Sequence, residues 1–367
     1  MRRTSIFLAS LLVVCGTLRA VRADEPARLR ITDGQLAAGS ASASDSVPAT
    51  APIISYDVAG ADAIFDGPDF PWYSQVQAVM LRRTPIKSQT ILVEDPAAGT
   101  NPLSVSVPRV NANELSFNNN AQLGLGLTIG RQIDNVSTFE LHYWGLMHWT
   151  SGSVTYGANS LSLPGTIAIT MQDFFLADEA AIAYESNLNN VELNYQQTLN
   201  GMSLLGGFRY INLHENFDMR FHDVDSGTSN YNVQTVNHLI GGQVGIGWHL
   251  EPSERLSLDL FSKIGFFGNA QRMSQWMADF GNTLPRRDAK DFSSHTSFVA
   301  ELGVNARYRI SECVSIFGGY RFMWMTGLAL APSQLDFNDA PGAAATFSAQ
   351  NDNFKLYGPH AGIELRW

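Results

Sequence analysis

Charged side chains of both signs stand at alternate positions of otherwise apolar stretches: Glu140, Glu192, Arg209, Asp259, Lys263, Glu301, Arg307, Arg309, Arg321, Glu364 and Arg366. Two kinds of chemistry suit that arrangement. Facing one another across a narrow interior, acids and bases form a ladder of ion pairs and hydrogen bonds, the usual way to bury such groups. Spaced around an open passage, the same charges select ions or small polar solutes. Both readings stay open at this level. Under either one, Glu140, Glu192, Arg209, Lys263, Glu301, Arg307, Arg321 and Glu364 are the expected lumen-lining residues.

Other chemistry lacks its residues. The chain has no Gly-x-Ser-x-Gly elbow, phosphate loop, His-Glu-x-x-His helix or Cys-x-x-Cys pair. Asp223-Val224-Asp225-Ser226-Gly227 begins like a calcium loop but lacks the distal Glu. His142 and His148 read as lying on one strand face, too far apart at about 3.3 Å per residue to share a metal ion. They are the strand histidines near serines (Ser137, Ser151), yet no spacing selects a catalytic triad. We therefore expect no metal, no cofactor and no enzymatic activity.

The elements that must position these charges show a period of two. In Gln122–Gly130, Leu123, Leu125, Leu127 and Ile129 share one face, and glycines, Gln122 and Thr128 share the other. In Thr138–Trp149 the apolar face reads as Phe139, Leu141, Tyr143, Met147 and Trp149, opposite Thr138, Glu140, His142 and His148, with Trp144 and Leu146 as exceptions. Asn190–Gln196, Leu256–Phe266 and Phe298–Ile310 alternate as clearly. Trp72–Leu81, Leu204–Leu213, Val236–Trp248, Val314–Trp324 and Tyr357–Trp367 complete a set of about ten strands, most of them long enough to cross a bilayer with tilt. Connections alternate between long (83–119, 151–187, 215–233, 270–294, 326–352) and short (Gln132–Val136, Leu199–Gly201, Glu251–Glu254, Ser311–Cys313). Short turns on one side and long loops on the other are the habit of outer-membrane barrels, and an even strand count puts both ends of the sheet in the periplasm. In hydrocarbon a sheet leaves no backbone group unpaired only if it closes on itself. The expected fold is all-β: a single closed antiparallel up-and-down transmembrane β-barrel of about ten strands, spanning 71–367, with the long segments as extracellular loops.

Composition agrees with export to an oxidising or outer compartment without a disulfide scaffold. Arg2 and Arg3, the apolar run Ile6–Val14 and Val21-Arg22-Ala23 have the layout of a signal peptide cut after Ala23. Only Cys313 then remains, and a lone cysteine forms no intramolecular bridge. Residues 24–70 read as a flexible periplasmic segment, rich in Ala and Ser over Ala37–Ala51. The net charge of −10 argues against a nucleic-acid partner. Trp72, Tyr73, Tyr143, Trp149, Trp248, Tyr320, Trp324, Tyr357 and Trp367 fall near strand ends, where interfacial aromatic girdles sit. Ile363, Leu365 and Trp367 share one face of the last strand and resemble the signal read by the outer-membrane assembly machinery. The expected partners are that machinery and outer-membrane lipid; the oligomeric state is not fixed by the sequence.

Particular residues also resemble a known family. Val191-Glu192-Leu193-Asn194 followed by Gly206-Gly207-Phe208-Arg209-Tyr210 is similar to a strand pair of the porin-7 type β-barrel porins abundant in planctomycete bacteria. Asn237-His238 with Gly241-Gly242-Gln243-Val244-Gly245, then Glu301-Leu302-Gly303-Val304-Asn305, Gly318-Gly319-Tyr320, Thr326 to Pro332 and His360-Ala361-Gly362-Ile363-Glu364 continue the likeness in order. It covers residues 70–367 and implies an outer-membrane, porin-like barrel. Two functions follow as expectations: a narrow channel for ions or small polar solutes, or a closed structural or binding barrel whose surface loops carry the contacts.

Overall fold

The computed structural model describes residues 71–95, 106–115, 117, 121–167, 174–225, 227–278, 285–338 and 350–367. The expected signal peptide and periplasmic segment lie outside the described residues. Residues 71–366 form one compact unit.

Twelve antiparallel strands build it: β1 (Trp72–Arg83), β2 (Thr90–Glu94), β3 (Val107–Asn111), β4 (Gln122–Gln132), β5 (Ser137–Ser162), β6 (Ala177–Leu199), β7 (Met202–Asp223), β8 (Gly227–Ser253), β9 (Leu256–Ala278), β10 (Pro285–Arg309), β11 (Val314–Ala329) and β12 (Asn351–Arg366). Ten of them close a ring in the order β5-β4-β1-β12-β11-β10-β9-β8-β7-β6, with β6 pairing back onto β5. First and last strands zip together from Tyr73↔Arg366 to Arg83↔Leu356, so the ring has no free edge along that seam. The small β2–β3 hairpin stands outside the ring order and pairs with the far end of β5 through Val93↔Ser162.

Tight turns gather at one end. Asn200 and Gly201, at φ 50° and 77°, make the two-residue connection between Leu199 and Met202, the backbone that Asn-Gly adopts most readily. At the other end the strands differ in length. β5 to β10 run 26, 23, 22, 27, 23 and 25 residues. The adjacent β4, β1, β12 and β11 run 11, 12, 16 and 16. The ring therefore carries a tall wall and a low wall. Much of what reads as long loops in 151–187, 215–233 and 270–294 is strand: β7 and β8 meet across Asp223↔Gly227.

The tall strands went unread because their polarity inverts part-way up. On β6, Val191, Leu193 and Tyr195 are exposed while Asn190, Glu192 and Asn194 are buried. Further up the same strand, Ile182, Tyr184 and Leu188 are buried, and Glu185 and Asn187 are the outer residues. β7 does the same: Phe208 is 73% exposed beside buried Arg209, and above them Ile211, Leu213, Phe217, Met219 and Phe221 are buried. No register slips along β6–β7; the faces keep their parity and exchange their chemistry. The lower tier is apolar outside and polar inside, suited to hydrocarbon. The upper tier is the reverse, suited to water.

One strand does change face. Leu146 takes φ 60°, and the β5–β6 register shifts between Trp144 and Met147, an extra residue of the kind a β-bulge inserts. Met147 and Trp149, expected on the outer face with Phe139 and Leu141, are consequently buried inside at 1% exposure each. His142 and His148 end on opposite faces: the first is buried and the second exposed.

Candidate functional site: the barrel interior

The interior of the lower tier is a network of charges joined from wall to wall. Glu192 on β6 accepts Lys263 of β9 at 2.8 Å and faces Arg209 of β7 at 3.5 Å. Arg209 also donates to Glu301 on β10 at 2.8 Å and to Asn190 at 2.6 Å. Two strands, β8 and β9, lie between β7 and β10 in the ring, so this pair crosses the lumen rather than running along its wall. Arg321 of β11 approaches Glu301 at 3.1 Å, and Gln243 of β8 donates to Glu192 at 2.9 Å and to Asn194 at 2.7 Å. On the other side, Gln77 of β1 meets His142 of β5 at 3.2 Å.

Nearer the turn end a second cluster forms. Arg307 bridges Glu364 at 3.3 Å and Asp259 at 3.8 Å. Glu364 further holds Arg366 and Gln75, both at 2.8 Å. Tyr73 donates to Glu140 at 2.7 Å. The eight residues expected to line the lumen thus split into two groups: Glu192, Arg209, Lys263, Glu301 and Arg321 above, and Arg307, Glu364 and Glu140 below. Arg309 stands apart, exposed at the rim with its guanidinium on the carbonyl of Glu254. Among the expected girdle aromatics, Trp72, Trp248, Tyr320 and Trp324 lie exposed. Tyr73 instead turns inward to Glu140, and Trp149 joins the core.

Above the charges the interior becomes apolar. Trp144, Met147, Trp149, Tyr184, Phe217, Tyr231, Met277 and Phe354 pack in one cluster with Ile91 and Leu92 of β2 and with Leu328, Leu330 and Ala331. The segment after β11 folds into this space. Asn237 clamps Ala329 through both its carbonyl and its amide at 2.8 Å. Glu215 accepts the Ala331 amide at 2.9 Å, and Gln275 donates to the Gln334 carbonyl. Arg287 caps the carbonyls of Asp336 and Asn338 at 2.9 and 3.0 Å.

One ion pair sits inside the apolar layer and was missed in the sequence. Arg83, at the end of β1, binds Glu215 of β7 and donates to Ser186 of β6 at 2.8 Å. Its guanidinium lies 4.1 Å over the Phe354 ring, a placement that adds cation–π attraction where water is absent. Both charges fall at the edges of segments read as loops, so no alternation marked them.

Three solved structures are similar in outline. The outer membrane protease OmpT from Escherichia coli is 10% identical, with a TM-score of 0.39 over 82% of this chain and 97% of that one. The translocator domain of autotransporter NalP from Neisseria meningitidis is 8% identical, with a TM-score of 0.38 over 83% and 92%. The P. putida toluene transporter TodX is 6% identical, with a TM-score of 0.31 over 82% and 91%. Because one of these is a protease, the expectation that such a barrel is not an enzyme does not stand as a rule; the likeness assigns no catalytic residue to this chain. No curated protein matches the chain. The profile of one family, described as Putative beta barrel porin-7, matches residues 91–367. With its ten-strand ring, apolar outer belt and charged interior, the chain belongs to that porin-like family of outer-membrane β-barrels.

Proposed function

We propose that this barrel is sealed across its lumen and works through its outer surface, rather than passing solutes in this conformation. The Arg209–Glu301 pair carries the reading, because it joins β7 to β10 through the space a solute would need at 2.8 Å. The overlying apolar layer, filled from within by residues 328–335, is a second barrier to ions, since transfer of a charge into such a layer is costly. In this reading the lumen-lining charges are structural. The belt faces outer-membrane lipid, and Ile363, Leu365 and Trp367 serve the assembly machinery as the terminal-strand signal.

Planar-bilayer recording tests it. Purified barrel, shown to be folded by heat-modifiable gel migration, is expected to insert and stay silent in potassium chloride. Reproducible conductance steps from the unmodified chain, weakened when Arg209 or Arg307 is neutralised, would establish the narrow-channel reading instead.

A further inference from the structure

The outer face of the tall wall holds a cleft of about 580 Å³ that the sealed lumen does not explain. Apart from Gln275, which is buried on the inner side, its lining comes from alternate, outward positions of four neighbouring strands. Asp218 of β7 pairs with Asn232 of β8, Asn232 with Trp276 of β9, and Trp276 with Asp288 of β10. The adjacent row is Gln234, Ser274 and Lys290. Rows two residues apart lie about 7 Å from each other and strands about 4.8 Å apart, so the two rows cover a patch roughly 14 Å by 7 Å.

Trp276 does not belong to an interfacial girdle. The outer face of β9 is apolar up to Phe266, which is 66% exposed, and then reads Gly268, Ala270, Arg272, Ser274 before Trp276. Ten residues at about 3.3 Å place the indole roughly 30 Å along the strand from the belt's upper aromatic, beyond reach of the hydrocarbon even with tilt. Phe292, 71% exposed, lies under Arg272 between these levels and adds an exposed ring to the wall beside the half-buried Trp276. Behind the cleft, Tyr231, Val233 and Met277 on the inner face are fully buried, which makes its floor rigid.

We propose that this cleft binds a neutral oligosaccharide. A sugar ring offers a flat C–H face edged by hydroxyls that donate and accept. An indole supplies the matching flat apolar surface with a polar edge. Amides and carboxylates supply acceptors, and amides and an ammonium supply donors. Asn232 spends both amide hydrogens on Asn216 at 2.8 Å and Asp218 at 3.2 Å, so its side chain is already oriented and presents its Oδ1 as an acceptor, which lowers the ordering cost of binding. Two carboxylates against one ammonium favour an uncharged chain over a sulfated or phosphorylated one. The volume falls within the range of small-ligand sites, room for about two or three sugar rings. This inference rests on the reading that the outer wall carries the contacts.

Calorimetric titration of the folded barrel in detergent with dextran, mannan, cellohexaose and N-acetylchitohexaose tests it, with dextran sulfate as the charged counterpart. At least one neutral glycan is expected to bind, and Trp276→Ala and Asn232→Ala should each weaken it at least tenfold while heat-modifiable migration stays normal. Gln234→Ala, a smaller change on the same floor, should weaken it measurably. No binding by any neutral glycan, binding unchanged in both Trp276→Ala and Asn232→Ala, or preference for dextran sulfate would each overturn the assignment. Conductance recorded on the same preparation separates the two readings. A barrel that conducts yet binds glycan loses only the seal, and a silent barrel that binds none loses only the cleft.

Discussion

At the residue scale, the interior shows how a charge can be kept away from water. Arg209 is 3% exposed, yet it donates to Glu301 and Asn190 and faces Glu192. A buried pair of this kind adds little net stability, but removing one member strands the other. Arg209→Ala leaves Glu192 with Lys263 and Glu301 with Arg321, so we expect a loss in urea unfolding from lipid vesicles that stays below the about 3–5 kcal/mol of a wholly stranded charge. Arg209→Met with Glu301→Gln should cost clearly less than the sum of the two single changes, because both single changes remove the same bond. Additive costs would show that the two residues do not act as a pair. A second residue-scale effect lies outside the membrane. Asp178, at the far end of β6, accepts the backbone amides of Val224 at 2.9 Å and Asn159 at 3.0 Å. Those bonds hold its carboxyl below the usual carboxylate range. A lowered folded pKa gives a contribution that is complete above the unfolded carboxylate value near 4 and is lost as pH falls through the lower folded value. The protection of the Val224 amide, its exchange rate relative to that of an unstructured amide at the same pH, should therefore fall on acidification below about pH 4, and Asp178→Asn should show the lower protection already at neutral pH. Protection indifferent to both would remove this staple between the β5, β6 and β7–β8 tips.

At the element scale, the same strand must satisfy two solvents. Leu193 on the lower outer face of β6 is 49% exposed, and Ala183 stands on that face ten positions up. Arginine at the lipid face of a barrel costs about 2–4 kcal/mol near the midplane and almost nothing beyond the interface. Leu193→Arg should therefore lose stability on that scale and Ala183→Arg should not, as read from unfolding midpoints in vesicles. Equal effects would place the polarity change elsewhere. This inversion also decides what could be read in advance. The ring of ten strands was legible, because in the lower tier a polar residue between two apolar ones names both faces at once. The tall extensions were not, because a strand with polar residues outside and apolar ones inside still alternates, but against the pattern being followed. A run such as Glu215-Asn216-Phe217-Asp218-Met219-Arg220 then looks like a loop. Trp149 failed for another reason. A single extra residue at Leu146 reverses the side chains of β5 from Met147 to Tyr156, where a second irregularity begins, and nothing in Gly145-Leu146-Met147 announces it. Arg83 and Glu215 were lost because each lies beyond the last position where alternation was followed.

At the scale of the whole described unit, a ring with a tall wall and a low wall needs something to finish it. β10 pairs with β11 only from Val299 downward, so the inner apolar faces of β5 to β10 rise above their low neighbours. Those faces would meet water unless covered, and the segment Gly327–Asn338 covers them. Its own backbone must then be satisfied in an apolar setting, and side chains of the tall wall do so: Asn237, Gln271, Gln275 and Arg287 each bind its main chain. Asn237 is decisive because it meets both the carbonyl and the amide of Ala329 at 2.8 Å while itself 0% exposed. Asn237→Ala leaves both groups buried without partners, at about 1–3 kcal/mol each, and the segment can escape the cost only by lifting out. A cysteine placed at Ala331, in a Cys313→Ser background, should therefore react with a small thiol reagent at least tenfold faster when Asn237 is Ala. Leu193→Arg, which acts on the lipid side, should leave that rate unchanged. If the Asn237→Ala rate stays at the parent value, the segment is held by its apolar packing alone, and the amide clamp has no part in closing the barrel's mouth.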